Sequence, residues 1–380
     1  MKSPAIIGMA IAAVGLAACG SSSTTATTSP TAAPTATPSP APSPTPTPPS
    51  PLVVTAGGDQ TTKQLTLIGE DGKVAATVTV PGGIDGNAYY VGSDHVYFID
   101  GTTVKALARD GTITVAGQIP QLSTTVTPAD RQGDTAFAVS PDETTLVFGI
   151  PLAIAGDNGA IADDSQLWTE PVGGTAASAT LVYSDANNTD NGGEVLMPFG
   201  WTSAGISVSE RPKGLGGAGP FLDYSRFNPA TFDPTTRTLT QPQKCPESNP
   251  SGSVCVTQEN PSSPSTLQVV SSTGTTTLTM QPANAEYGDV SVSADGRYLA
   301  YGSYVGDFGS GYYVATVVDL STGTTVATLQ NLAPGEWLSD GRLDATNSDF
   351  LGGGGSTWLL SPTFTSPQKI SADWPVGALA

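Results

Sequence analysis

Ser293-Ala294-Asp295-Gly296-Arg297-Tyr298-Leu299-Ala300-Tyr301 reads as the end of one strand, a tight polar turn and the start of a second strand. Asp-Gly tolerates the positive φ that a tight hairpin needs, and the residues after it alternate as a half-buried strand does. A second copy stands at Ser140-Pro141-Asp142-Glu143-Thr144-Thr145-Leu146-Val147-Phe148, and a shorter third at Leu338-Ser339-Asp340-Gly341-Arg342-Leu343. A hairpin that recurs implies a repeated unit, and the unit decides the fold.

Working outward, turns of this first kind recur at Gly92-Ser93-Asp94, Pro141-Asp142, Ser203-Ala204-Gly205, Pro250-Ser251-Gly252, Asp295-Gly296 and Asp340-Gly341. Between them falls a second kind that joins two outer strands: Glu70-Asp71-Gly72, Arg109-Asp110-Gly111, Gly173-Gly174, Asp233-Pro234-Thr235, Ser272-Thr273-Gly274, Ser321-Thr322-Gly323 and Pro362-Thr363. The spacing within each kind is about 40–60 residues, the period of a four-stranded propeller blade. The first unit lacks a turn of the first kind because its innermost strand is missing at the N-terminal side. The segment Ser371–Ala380 is placed to supply that strand and close the ring. The sequence therefore predicts an all-β protein with a single β-propeller of seven blades, closed by the C-terminal strand pairing with the N-terminal blade. Six blades is the runner-up, and two β-sandwich domains are the competing architecture.

Composition agrees. In 380 residues only 12% are charged, against 44 Gly and 32 Pro, a mix hostile to long helices. The formal net charge of −19 excludes nucleic acid as a partner, since backbone binding needs clustered Lys and Arg.

The N-terminus carries an address. Lys2 precedes a short apolar run, Ile6–Leu16, that ends in Leu16-Ala17-Ala18-Cys19-Gly20. The run is too short to span a bilayer and fits a signal-peptide core. This arrangement resembles the lipobox of bacterial lipoproteins. The resemblance implies that residues 1–18 are a signal peptide, that Cys19 takes the lipid, and that the protein sits on the outer face of the cytoplasmic membrane. The run from Ser21 to Pro51 contains only Ser, Thr, Ala and Pro, ten of them proline. It cannot build a core, and as polyproline II at ~3.1 Å per residue it reaches roughly 100 Å at most. Residues 19–51 thus read as a lipidated tether and 52–380 as the propeller domain.

The repeats resemble those of TolB-like and WD-repeat-like propellers, carried by Ser140–Phe148, by Ser293–Tyr301 and by the strand and turn Leu167-Trp168-Thr169-Glu170-Pro171-Val172-Gly173-Gly174. Glu143 stands where that repeat has Gly. Neither the helical domain of TolB nor the hydrolase domain of prolyl-peptidase relatives is present, so neither role is implied.

Both short turn types fall at one end of the blades, which leaves the long connections at the other. A rigid scaffold with long loops on one face commonly carries function there. The candidate binding face comprises Asp157, Asp163, Asp164, Tyr224, Glu286, Tyr287, Asp289, Tyr304, Asp307, Phe308, Asp349 and Phe350. Acids beside aromatics suit an envelope protein or a glycan. The rival reading is a surface carbohydrate-active enzyme with a carboxylate pair at the channel mouth.

Other candidates are weaker. Asp185, Asn187, Asp190 and Glu194 supply oxygens for Ca²⁺ within one loop, but their spacing departs from the EF-hand pattern, and no cofactor is otherwise expected. Gly214-Leu215-Gly216-Gly217-Ala218-Gly219 spells a dinucleotide fingerprint but lacks the strand before it and the helix after it. Cys245 and Cys255 flank the Pro250 turn symmetrically, as a cross-strand disulfide would. His95, the single histidine, reads as a turn residue, because no nucleophile elbow accompanies it.

Overall fold

The computed structural model describes residues 50–58, 62–81, 89–121, 135–155, 161–184, 195–211, 229–240, 245, 247–249, 251–260, 266–281, 286–306, 311–347 and 355–379. The chain divides into two units, Met1–Thr47 and Pro48–Ala380. The signal-peptide and lipidation readings, including Cys19, lie outside the described residues.

Within the second unit the described residues form seven four-stranded antiparallel sheets, each a blade. Blade 1 contains β1 (Leu52–Gly58), β2 (Thr62–Gly69) and β3 (Val74–Pro81). Blade 2 contains β4 (Tyr89–Val91), β5 (His95–Asp100), β6 (Thr103–Ala108) and β7 (Ile113–Gln118). Blade 3 contains β8 (Ala136–Val139), β9 (Thr145–Ala155), β10 (Ile161–Pro171) and β11 (Thr180–Ser184). Blade 4 contains β12 (Val195–Thr202), β13 (Gly205–Arg211), β14 (Pro229–Asp233) and β15 (Thr238–Thr240). Blade 5 contains β16 (Glu247–Ser248), β17 (Val254–Asn260), β18 (Thr266–Ser271) and β19 (Gly274–Thr279). Blade 6 contains β20 (Glu286–Val292), β21 (Tyr298–Val305), β22 (Tyr312–Asp319) and β23 (Thr324–Gln330). Blade 7 contains β24 (Ala333–Trp337), β25 (Leu343–Thr346), β26 (Thr357–Leu359) and β27 (Gln368–Ser371). The last strand, β28 (Trp374–Leu379), returns to blade 1 as its innermost member, paired antiparallel with β1 from Leu52↔Leu379 to Ala56↔Trp374. The expected seven blades and the expected closure are both found.

The core lies between blades, and strand alternation explains it. In β5, Val96 and Phe98 face blade 1, packing with Val54, Leu65 and Leu67. Tyr97 between them faces blade 3, packing with Phe137, Leu146 and Phe148. The same alternation splits β9, where Val147 turns instead to Leu196, Ile206 and Phe232 of blade 4. Val53, Leu338 and Leu359 close the last junction, between blades 7 and 1. Each fully buried Leu or Phe contributes roughly 1.5–3 kcal/mol, so a one-residue register slip in any strand would empty one junction and crowd the next.

Several expected loops are strands. Asp163 and Asp164 lie on β10, Glu286, Tyr287 and Asp289 on β20, and Tyr304 on β21. The β9–β10 hairpin stays in register out to Ala155↔Ile161. Backbone pairing here continues past the apolar pattern, so polar strand ends resemble loops in sequence.

Candidate binding face

The two ends of the propeller are built differently. At the short-turn end, aspartates are used locally. The Asp71 carboxylate accepts from the Lys73 backbone N at 3.0 Å, Asp110 from Thr112 N at 2.9 Å, and Asp233 from Thr235 N at 2.8 Å. In the repeated hairpins Asp295 accepts from Ser293 Oγ at 2.7 Å and from Arg297 N at 3.0 Å, while Asp340 accepts from Arg342 N at 3.1 Å. These are side-chain turns that fix the hairpins they stand in. Gly296 (φ 72°) and Gly341 (φ 82°) hold the left-handed position.

Glu143 occupies that position in blade 3 with φ 52°, a conformation that costs a non-glycine residue roughly 1–2 kcal/mol. Its carboxylate reaches into the blade 2 turn. Oε1 accepts from Asp94 N at 2.6 Å and Ser93 Oγ at 3.0 Å. Oε2 meets His95 Nδ1 at 2.7 Å and accepts from Tyr97 Oη at 2.8 Å. Burial alone would raise this carboxyl, but the bonds from Asp94, His95, Tyr97 and Ser93 together hold it below the usual range. A Cβ on Gly92 would overlap the Glu143 carboxylate, so glycine there leaves its seat open. The single histidine is thus part of an inter-blade staple.

Among the described residues, Asp344 and Glu336 form an acid pair that bears on the enzyme reading. Asp344, fully buried on β25, accepts from Glu336 N at 2.9 Å, and Glu336 is exposed on the inner strand β24. Burial first, and the Glu336 charge second, push the Asp344 carboxyl well above the usual carboxylate range. Asp344 fills the space beside Gly335, where a Cβ would overlap its Oδ1, and it seats the bulge between Pro334 and Trp337. That geometry suits a structural clamp at the short-turn end. In blade 5, Cys245 and Cys255 are joined, with Cα atoms 5.2 Å apart. The bond ties the segment before β16 to β17, across the turn closed by Gly252 N donating to the Asn249 carbonyl, and the two cysteines pair as the sequence predicts.

At the opposite end, the described residues gather aromatic side chains on three consecutive blades. On blade 6, Tyr304 and Tyr313 meet edge to face at 5.2 Å, Tyr304 Oη accepts from Gly311 N at 3.0 Å, and Tyr312 is exposed. Register places Glu286 opposite Tyr304, and Tyr287 opposite Ser303. On blade 7, Trp358 Nε1 donates to Ser356 Oγ at 2.9 Å. On blade 1, Trp374 opens the inner strand β28 with Asp373 just before it, and the Trp374 indole lies against Gly355 of blade 7.

Tyr304, Glu286, Tyr287 and Asp289 therefore fall at the expected end, while Asp163 and Asp164 stand at the same end of blade 3. Asp157, Tyr224, Asp307, Phe308, Asp349 and Phe350 lie outside the described residues, as do Asp185, Asn187, Asp190 and Glu194. Among the described residues no group of three or more His, Cys, Asp or Glu is placed to hold a metal. Asp373, Trp374 and Tyr312 were missed in the sequence. A signal was present in Trp374 itself, a large aromatic at the mouth of the closing strand.

No family model matches the chain, and no curated protein matches it. Among solved structures it is similar to TolB from Acinetobacter baumannii, at 11% identity and TM-score 0.36, covering 87% of this chain and 65% of that one. It is similar to the putative TolB from Agrobacterium tumefaciens at 10% identity and TM-score 0.34, covering 85% and 91%. It is also similar to a prolyl endopeptidase at 12% identity and TM-score 0.48, covering 86% of this chain and 50% of that one. The chain thus spans less than two thirds of the Acinetobacter TolB and half of the endopeptidase. At these identities the likeness concerns the propeller fold alone.

Proposed function

We propose that the protein is a lipid-anchored binding module, held by Cys19 at the outer face of the cytoplasmic membrane and presenting the long-connection end of its propeller to an envelope protein or glycan. The observation that carries this reading is the contrast between the two ends. The short-turn end consumes its aspartates in its own hairpins, whereas the opposite end exposes Trp374 and Tyr312. The direction of the strands supports it. β1 begins and β28 ends at the short-turn end, and Arg109 donates to the Ser50 carbonyl there. The described propeller thus begins at the short-turn end, opposite its long connections.

The test is capture from an envelope extract by the intact chain and by versions in which 212–228, 306–311 and 347–356 are replaced with short Gly/Ser turns. Capture is expected to fall with these replacements and to withstand substitutions in the short turns, such as Thr322→Ala. Capture that withstands all the replacements would overturn the face assignment. The enzyme reading draws less support, because Asp344 is enclosed and engaged with the backbone of its own blade.

A further inference from the structure

We propose that Trp374 and Asp373 form a saccharide platform, on which a neutral pyranose lays its C–H face against the indole and turns its hydroxyls toward the carboxylate. The proposal rests on the reading of the long-connection end as the ligand face, and it names the ligand class.

Three observations converge. The first is exposure. Trp374 is 36% exposed at the start of an inner strand, whereas Val74, Ile113, Val115 and Val326 are exposed on outermost strands. The exposed third of the residue still forgoes its share of the roughly 1.5–3 kcal/mol that burying a large apolar side chain yields, so covering it is favourable.

The second is that the indole is fixed. Its ring lies so close to Gly355 that a Cβ there would overlap Cδ2 and Cε2. Gly355 has no positive φ, so the glycine is required for space and not for backbone conformation. One face of the ring is thus backed by blade 7. A ring already held in place loses little freedom on binding, which favours affinity.

The third is the neighbouring carboxylate, which is also seated. Asp373 N donates to Ser371 Oγ at 3.0 Å, and its carbonyl accepts from Thr357 Oγ1 at 2.7 Å. Its carboxylate occupies the space beside Gly57, where again a Cβ would overlap it. Two glycines on two blades therefore make room for one acid and one aromatic on adjacent positions of the chain.

The chemistry selects the ligand. A pyranose offers an apolar face to the indole and a rim of hydroxyl donors to a carboxylate that can accept two at once. An aromatic peptide side chain would match the indole but offers at most one hydroxyl from its own ring, where a pyranose presents a rim of them. The net charge of −19 disfavours an anionic glycan.

The experiment titrates the full mature chain with neutral tetrasaccharides of glucose, mannose, galactose and N-acetylglucosamine, reading the heat of binding by calorimetry beside tryptophan emission, with the tripeptide Gly-Tyr-Gly as competitor; affinities of the Trp374 variants are taken from the calorimetry. At least one saccharide is expected to shift the emission. Trp374→Ala should weaken that binding by about tenfold or more, and Trp374→Phe should restore part of it. Gly355→Ala displaces the ring without removing it and should weaken binding in the same direction, which guards against a Trp374→Ala chain that fails to fold. No response from any saccharide, an equal response in Trp374→Ala, or displacement by the tripeptide alone would each overturn the platform. If replacing the long connections abolishes protein capture while no saccharide responds, the platform fails and the ligand face stands.

Discussion

Glu143 shows how one residue offsets a local cost with distant partners. Its left-handed backbone is unfavourable, yet its carboxylate collects bonds from Ser93, Asp94, His95 and Tyr97. We expect Glu143→Gln to lower unfolding stability by about 1–3 kcal/mol in denaturant titration near pH 7. The folded carboxyl is held below its ordinary value, so its contribution is present above about pH 4.3 and is lost as pH falls through the folded value. The acid limb of the stability profile should therefore be shallower in Glu143→Gln, and an unchanged limb would refute the staple. Asp344 has the opposite sign. Its folded carboxyl is raised, so stability declines as pH rises from the unfolded value, about 3.9, toward the folded one. Asp344→Asn keeps an oxygen for Glu336 N and should equal or exceed the parent at pH 7, with the difference vanishing below pH 4. A variant less stable than the parent at pH 7 would show that the charged form is the one the site favours. Neither role was legible in sequence. The partners of Glu143 lie 46–50 positions away, and the seat of Asp344 depends on a bulge and on Gly335.

At the scale of elements, the hairpins were readable and the strand ends were not. Asp-Gly and Thr-Gly turns announce themselves because few residues accept positive φ, and Gly296, Gly323 and Gly341 adopt it. Asp163, Asp164 and Glu286 look like loop residues because they are polar, but backbone pairing ignores side-chain polarity once a hairpin has begun, and Asp289 falls in the bulge of β20 between Gly288 and Val290. The Cys245–Cys255 bond belongs at this scale. β16 is two residues long, and the bond ties the segment before it to β17. The double substitution Cys245→Ser/Cys255→Ser should lower stability by about 3 kcal/mol on a chain-entropy estimate for so short a loop. The check is the denaturation midpoint with and without reductant. A midpoint that reduction leaves unchanged would show that the bond adds nothing to the fold.

At the scale of the whole molecule, the ring depends on a strand drawn from the far end of the chain. Removing 374–380 would leave the inner edge of β1 unpaired and Val54 and Val53 without their lids. Such a chain is expected to aggregate and to lose cooperative unfolding, as read by size-exclusion chromatography and thermal melting. A monomeric, cooperatively melting truncation would mean that blade 1 stands without closure. Periodicity made this architecture legible, because a ring needs only a count and a missing strand. The platform at Trp374 was not legible, since it depends on Gly57 leaving room for Asp373 and Gly355 for Trp374, contacts between segments far apart in the chain.

The pairing of Leu52 with Leu379 also orders events in time. Blade 1 contains the first propeller residues to be synthesised and the last. Six blades can assemble during synthesis, but the first must wait with an open edge until β28 arrives. A chain interrupted anywhere before Trp374 therefore presents a bare strand edge, open to pairing with another chain.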